Sequence, residues 1–158
     1  MSYWFYFNFI LFCLLLWKVA SHFSFPLLKV HIIFGAIGFL FFLYNWTRNA
    51  VFSTIRQAKD RQIKIKLANL SRKAMPYHRW TGTLALVFIL LHGIAVWNTF
   101  GFTWQNGKMV FGLLALLNLI AMVATGWLRL VKPSGKMRRL HLRLGILLFF
   151  LIGIHLLL

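Results

Sequence analysis

The chain has one cysteine, Cys13, and one acidic side chain, Asp60, among 158 residues. A lone thiol builds no disulfide, thiolate zinc site, iron–sulfur cluster or covalent c-type haem within one chain. A lone carboxylate leaves no pair for acid–base work, no acidic proton relay inside a membrane and no hard-cation site. Gly-rich dinucleotide fingerprints and P-loops are missing too.

What is present is apolar and basic. Hydrophobic residues make up 61% of the chain and mean hydropathy is +0.77, whereas soluble domains are about half apolar. The apolar runs approach the roughly 20 residues that a membrane-spanning helix needs, and they lack the short alternation of barrel strands. The expected fold class is all-α, a polytopic membrane helical bundle with about five transmembrane helices forming a single domain over residues 1–158. The net charge of +17 lies between the apolar runs. There it orients helices toward lipid and gives no reason to expect a nucleic-acid partner.

In chain order, the expected spans cover 3–19, 30–46, 78–99, 109–130 and 140–158. The first opens on Tyr3, Trp4, Phe5, Tyr6 and Phe7, an aromatic group suited to the interface. It has no basic leader or Ala-x-Ala-like site, so it reads as an uncleaved helix. A short connection with His22 and Pro26 leads to the second span, where Gly35 and Gly38 permit close approach of a neighbour. Residues 47–77 read as a basic cytoplasmic loop, with 51–70 as an amphipathic helix on an anionic membrane surface. Pro76 is placed to start the third span. Gly101 and Asn106-Gly107 mark a turn after it, and Pro133 and Gly135 end the fourth.

Fifteen of the eighteen Lys and Arg flank or fill the connections after spans two and four; the others are Lys18, Lys29 and Lys108. The positive-inside rule then predicts a multi-pass protein of the cell membrane with its N-terminus cytoplasmic and its C-terminus outside.

Against this frame one pattern stands out. His78 and His92 bracket the third span fourteen residues apart, and His141 and His155 bracket the fifth at the same interval. Fourteen helical steps are about 1400°, about 40° short of four turns, so each pair shares a face with about 21 Å between its members. By the predicted topology His78 and His141 form an inner layer, and His92 and His155 an outer one. Two imidazoles per layer match the axial demand of one haem iron, so each layer could hold one six-coordinate haem between the two helices.

The surroundings admit two readings. Gly82 and Gly145 each follow a histidine by four residues, where a missing side chain admits a flat macrocycle or serves ordinary helix packing. Ala85, Ile89, Leu148 and Ile152 continue those faces. Arg79, Arg138, Arg139 and Arg143 near the inner layer suit haem propionates or positive-inside anchoring. His31 suits an outer ligand or an interfacial position, and Trp97, Phe102 and Trp104 suit an interface belt or an electron exit.

The run His78-Arg79-Trp80-Thr81-Gly82 leading to Leu90-Leu91-His92, followed by Arg139-Leu140-His141 leading to His155, resembles the ferric reductase-like transmembrane domain. That family includes iron reductases, NADPH oxidases and the membrane haem subunit of methionine sulfoxide reductase systems. The resemblance covers spans two to five and implies that His78, His92, His141 and His155 ligate two b haems carrying single electrons across the membrane. It also implies a transmembrane oxidoreductase component. The flavin and nicotinamide domain of larger members has no counterpart here, so a separate cytoplasmic flavoprotein reductase or membrane quinol is the expected donor. The acceptor class is ferric iron, oxygen or a partner protein. Two alternatives remain open from the residues alone. One is a quinol-oxidising cytochrome b subunit of a larger complex, and the other a non-redox membrane metal transporter or assembly factor.

Overall fold

The computed structural model describes residues 3–21 and 29–158; His22 and Pro26 lie outside the described residues. Among the described residues there are five helices and no strands: α1 (Tyr3–Ser21), α2 (Val30–Gln57), α3 (Arg61–Phe100), α4 (Gly107–Val131) and α5 (Gly135–Leu157). All five are long and apolar enough to cross a membrane. The chain is a multi-pass helical bundle.

The basic segment 47–77 is not a loop. α2 continues to Gln57 and α3 begins at Arg61, so only Ala58, Lys59 and Asp60 connect them. From Thr47 to Met75 the sequence has neither Gly nor Pro, and Lys, Arg, Gln, Ala and Leu are good helix formers whatever their charge. The break falls where the only carboxylate can cap a helix: Asp60 accepts from the Gln62 amide at 2.7 Å. The expected surface helix over 51–70 is therefore two halves, each continuous with a span. Pro76 does not start a helix but lies inside α3. Its ring removes one amide from the ladder, yet the helix is already nucleated upstream at Asp60, and propagation is cheap compared with nucleation.

The other termini follow local chemistry. Gly101 ends α3 at φ 68°, the only positive φ among the described residues. Asn106 and Ser134 cap α4 and α5 through the amides of Met109 and Met137.

The helices pack in a closed ring: α1 on α2, α2 on α3, α3 on α4, α4 on α5, and α5 back on α1. The tightest neighbours are the antiparallel pairs α2 with α3 and α4 with α5. In lipid, close approach depends on small residues rather than on a hydrophobic drive between helices. Gly38 supplies this between α2 and α3, where a Cβ would lie 2.7 Å from Ile89 Cδ1. On the α1 side, Trp46 stacks on Phe149 at 5.1 Å, and Trp4 meets both rings edge-on. Leu84, Val87 and Ile94 face outward on α3, as lipid-facing residues do. The ring thus sets α3 and α5 across from each other rather than directly side by side.

Candidate functional site

That opposition places the histidines. The His78 and His141 ring centroids are 6.2 Å apart with planes at 84°. His92 and His155 repeat the arrangement at 6.3 Å and 86°. A ring centroid stands about 1.15 Å behind its nitrogen and an imidazole–metal bond is about 2.0 Å, so two imidazoles on opposite sides of one metal have centroids about 6.3 Å apart. Both pairs are spaced so that two imidazoles would be able to hold one metal ion between them.

The second nitrogen of each ring is tied to a neighbouring helix. His92 Nδ1 donates to the His31 carbonyl at 2.7 Å, and His155 Nδ1 to the Lys108 carbonyl at 2.9 Å. His141 Nδ1 donates to the Met122 carbonyl at 3.0 Å, and the Thr125 hydroxyl, whose own proton goes to the same carbonyl at 2.8 Å, lies 3.2 Å from that nitrogen. His78 Nδ1 instead meets the side-chain Oδ1 of Asn45 at 2.7 Å. A carbonyl oxygen cannot donate, so these contacts put the ring proton on Nδ1 and leave Nε2 with its lone pair. Metal-ligating histidines are oriented in this manner.

The carbonyls are reachable for a specific reason. In a helix the carbonyl of residue i points toward residue i+4, whose side chain normally covers it. Gly35, Gly112 and Gly126 stand four residues after His31, Lys108 and Met122. A Cβ at Gly35 would lie 2.8 Å from His92 Nδ1, and one at Gly112 3.0 Å from His155 Cε1. At Gly126 it would lie 3.4 Å from His141 Cε1. Each histidine helix therefore leans on a socket helix, α3 on α2 and α5 on α4. The interval of fourteen recurs in the sockets, from His31 to Asn45 and from Lys108 to Met122.

The glycines singled out from sequence have other neighbours. A Cβ at Gly82 would come 3.8 Å from Asn45 Nδ2, and one at Gly145 3.4 Å from Trp46. Both are met by α2 side chains, and the glycines against imidazoles are Gly35, Gly112 and Gly126. Sequence reasoning assigned Gly112, Gly126 and Asn45 no part in the site. The repeat of fourteen between the two glycines was the available signal.

Charge surrounds both layers. Arg48, Arg79 and Arg129 act electrostatically on His78, and Arg48 and Arg129 on His141. Arg48 Nε is buried with no hydrogen-bond partner among the described residues. Arg138, Arg139 and Arg143 are solvent-exposed, with the Arg139 guanidinium near Gly135. At the other end, a cavity of about 910 Å³ is lined by His92, His155 and His31 together with Lys18, Lys29 and Lys108. These are the three basic residues that neither flank nor fill the connections after α2 and α4. A haem fits this chemistry: paired imidazole bases, an apolar cleft, and cations at both layers to meet carboxylates.

Midway between the layers, seven residues from each histidine, lie Ala85 on α3 and Leu148 on α5, 2% and 1% exposed. His31 stacks edge-on against Phe100 at 5.4 Å, with its centroid 6.4 Å from that of His92. Trp97 stacks on Phe102, and Trp104 meets Phe102 edge-on. Among the described residues, no three His, Cys, Asp or Glu side chains converge on one ion.

Comparison with protein-family models, curated proteins and solved structures gave no match to this chain.

Proposed function

We propose that the protein is a di-haem b membrane cytochrome that carries single electrons from a cytoplasmic donor to an outer acceptor, as the resemblance of its histidine pattern suggests. The observation that carries this reading is the state of the four imidazoles. All are tied through Nδ1 to an adjacent helix, and their centroids pair at 6.2 and 6.3 Å.

His78 and His141 hold the inner group, and His92 and His155 the outer one. A haem in each layer supplies an iron that accepts and returns one electron. The Nδ1 bonds make each imidazole a better base and fix its plane. Arg48, Arg79 and Arg129 offset carboxylates at the inner layer, and Lys18, Lys29 and Lys108 do so at the outer. Ala85 and Leu148 keep the interval between layers dry and lower its dielectric.

The donor is a cytoplasmic flavoprotein reductase or membrane quinol. Beyond His78, α3 runs back through Arg61, which is 17 residues and about 25 Å of helix. With the end of α2 it forms a basic projection suited to an acidic partner. Ferric iron, oxygen or a partner protein is the acceptor class.

The test is replacement of each histidine by Ala in the purified membrane protein. Each variant should lose about one haem per chain, His78→Ala and His141→Ala the same one, and His92→Ala and His155→Ala the other. Retention of both haems in all four variants, by reduced-minus-oxidised spectra and pyridine extraction, refutes the reading.

A further inference from the structure

Three of the four imidazoles rest on a main-chain carbonyl exposed by a glycine four residues on. The fourth does not. Asn45 holds the position equivalent to His31, Lys108 and Met122, but the residue four further on is Asn49. Unlike glycine, Asn49 carries a side chain at the position that normally covers the carbonyl four residues back, and it is the Asn45 amide oxygen that meets His78. This substitution has a chemical consequence. A main-chain carbonyl can only accept, whereas a primary amide presents either an acceptor oxygen or a donor nitrogen, depending on which way it is turned.

The neighbouring hydroxyl decides which way. Thr81 Oγ1 lies 2.9 Å from Asn45 Oδ1 and also 2.8 Å from the Tyr77 carbonyl, one turn back on its own helix. It has a single proton to give. Donated to Oδ1, that proton pins the amide oxygen between Thr81 and His78, so His78 must carry its proton on Nδ1 and keep Nε2 free. Donated to Tyr77, it leaves the hydroxyl an acceptor toward Asn45. The amide then gains by turning Nδ2 inward, which forces the His78 proton onto Nε2 and removes the lone pair that faces His141.

We propose that Asn45 and Thr81 are positioning residues that fix the His78 tautomer, making His78 the adjustable ligand, whereas the Nδ1 atoms of His92, His141 and His155 each face a main-chain carbonyl that can only accept. The statement about the tautomer needs no bound group; its consequence for an inner haem rests on the function proposed above.

The chain, labelled with ¹⁵N-histidine and reconstituted haem-free in lipid, reports tautomers directly through the imidazole nitrogen shifts, with the His78 signals assigned by loss in His78→Ala. Wild type and Thr81→Ser should show His78 protonated on Nδ1. Asn45→Leu and Thr81→Val should move His78 toward the Nε2-protonated form while His92, His141 and His155 stay unchanged. In haem-loaded protein the same two variants should bind the inner haem about 10–100-fold more weakly, the usual effect of losing a ligand's orienting partner. The outer haem should be unaffected. If His78 keeps its Nδ1 proton in Thr81→Val, the inference is overturned, whether or not Asn45→Leu folds. A wild-type protein that takes up no haem but shows the expected tautomers refutes the cytochrome reading and leaves the positioning role standing.

Discussion

Gly35→Ala is the smallest change that tests how the outer histidine is held. The added Cβ would lie 2.8 Å from His92 Nδ1, where ordinary contact begins at 3.4 Å. The ring must retreat by the difference, about 0.6 Å, which stretches its 2.7 Å bond to the His31 carbonyl to about 3.3 Å, beyond the normal range. Leaving a half-buried donor unmet costs about 1–3 kcal/mol. The loss of a ligand's orienting partner, about 10–100-fold in affinity, corresponds to about 1.4–2.8 kcal/mol. The two estimates agree.

The structure also supplies the controls. Gly112→Ala meets His155 at 3.0 Å and should resemble Gly35→Ala. Gly126→Ala meets His141 at 3.4 Å and should be nearly neutral, and Gly153→Ala, with nothing within 4 Å, should be silent. Titrating haem into the purified chains gives the four affinities, with the absorbance of the His78–His141 layer followed for Gly126→Ala and that of the His92–His155 layer for the other three. Equal values across the series, or a larger loss at Gly126 than at Gly35, would refute the idea that glycine admits the imidazole to the carbonyl.

Other outcomes follow from the same geometry. Asp60→Ala should remove about 1 kcal/mol of capping from α3. That change should be read as faster amide exchange at Gln62 and Lys64, with haem content unchanged and Asp60→Asn restoring protection. Reduction by an acidic protein donor should slow as ionic strength rises, because the exposed cations on α2 and α3 are screened within about 8–10 Å. Reduction by a neutral quinol analogue should not change. Equal salt sensitivity of the two donors would remove the docking role from that projection.

Much of the fold was legible in the sequence because membrane helices obey one-dimensional rules. Apolar run length marked five spans, and the observed helices cover all of them. The helix boundaries between 47 and 77 depart from the expected loop because a high density of charge does not itself break a helix. Lys and Arg extend a helix readily, and without Gly or Pro nothing stopped α2 before the residues preceding Asp60. The sign of a charge says which side of a membrane a segment prefers, not whether it is helical.

The sequence by itself determined that His78 and His92, and His141 and His155, share faces at two matched depths, because helical periodicity is local and fourteen residues return to nearly the same direction. It could not determine which helices those faces meet. The closed ring sets α3 opposite α5 and lays each against a socket helix, so Gly35, Gly112, Gly126 and Asn45 become partners of imidazoles tens of residues away. The interval of fourteen repeats along the socket helices, but which imidazole each socket meets depends on interhelical angle and depth, which arise only when five helices pack at once.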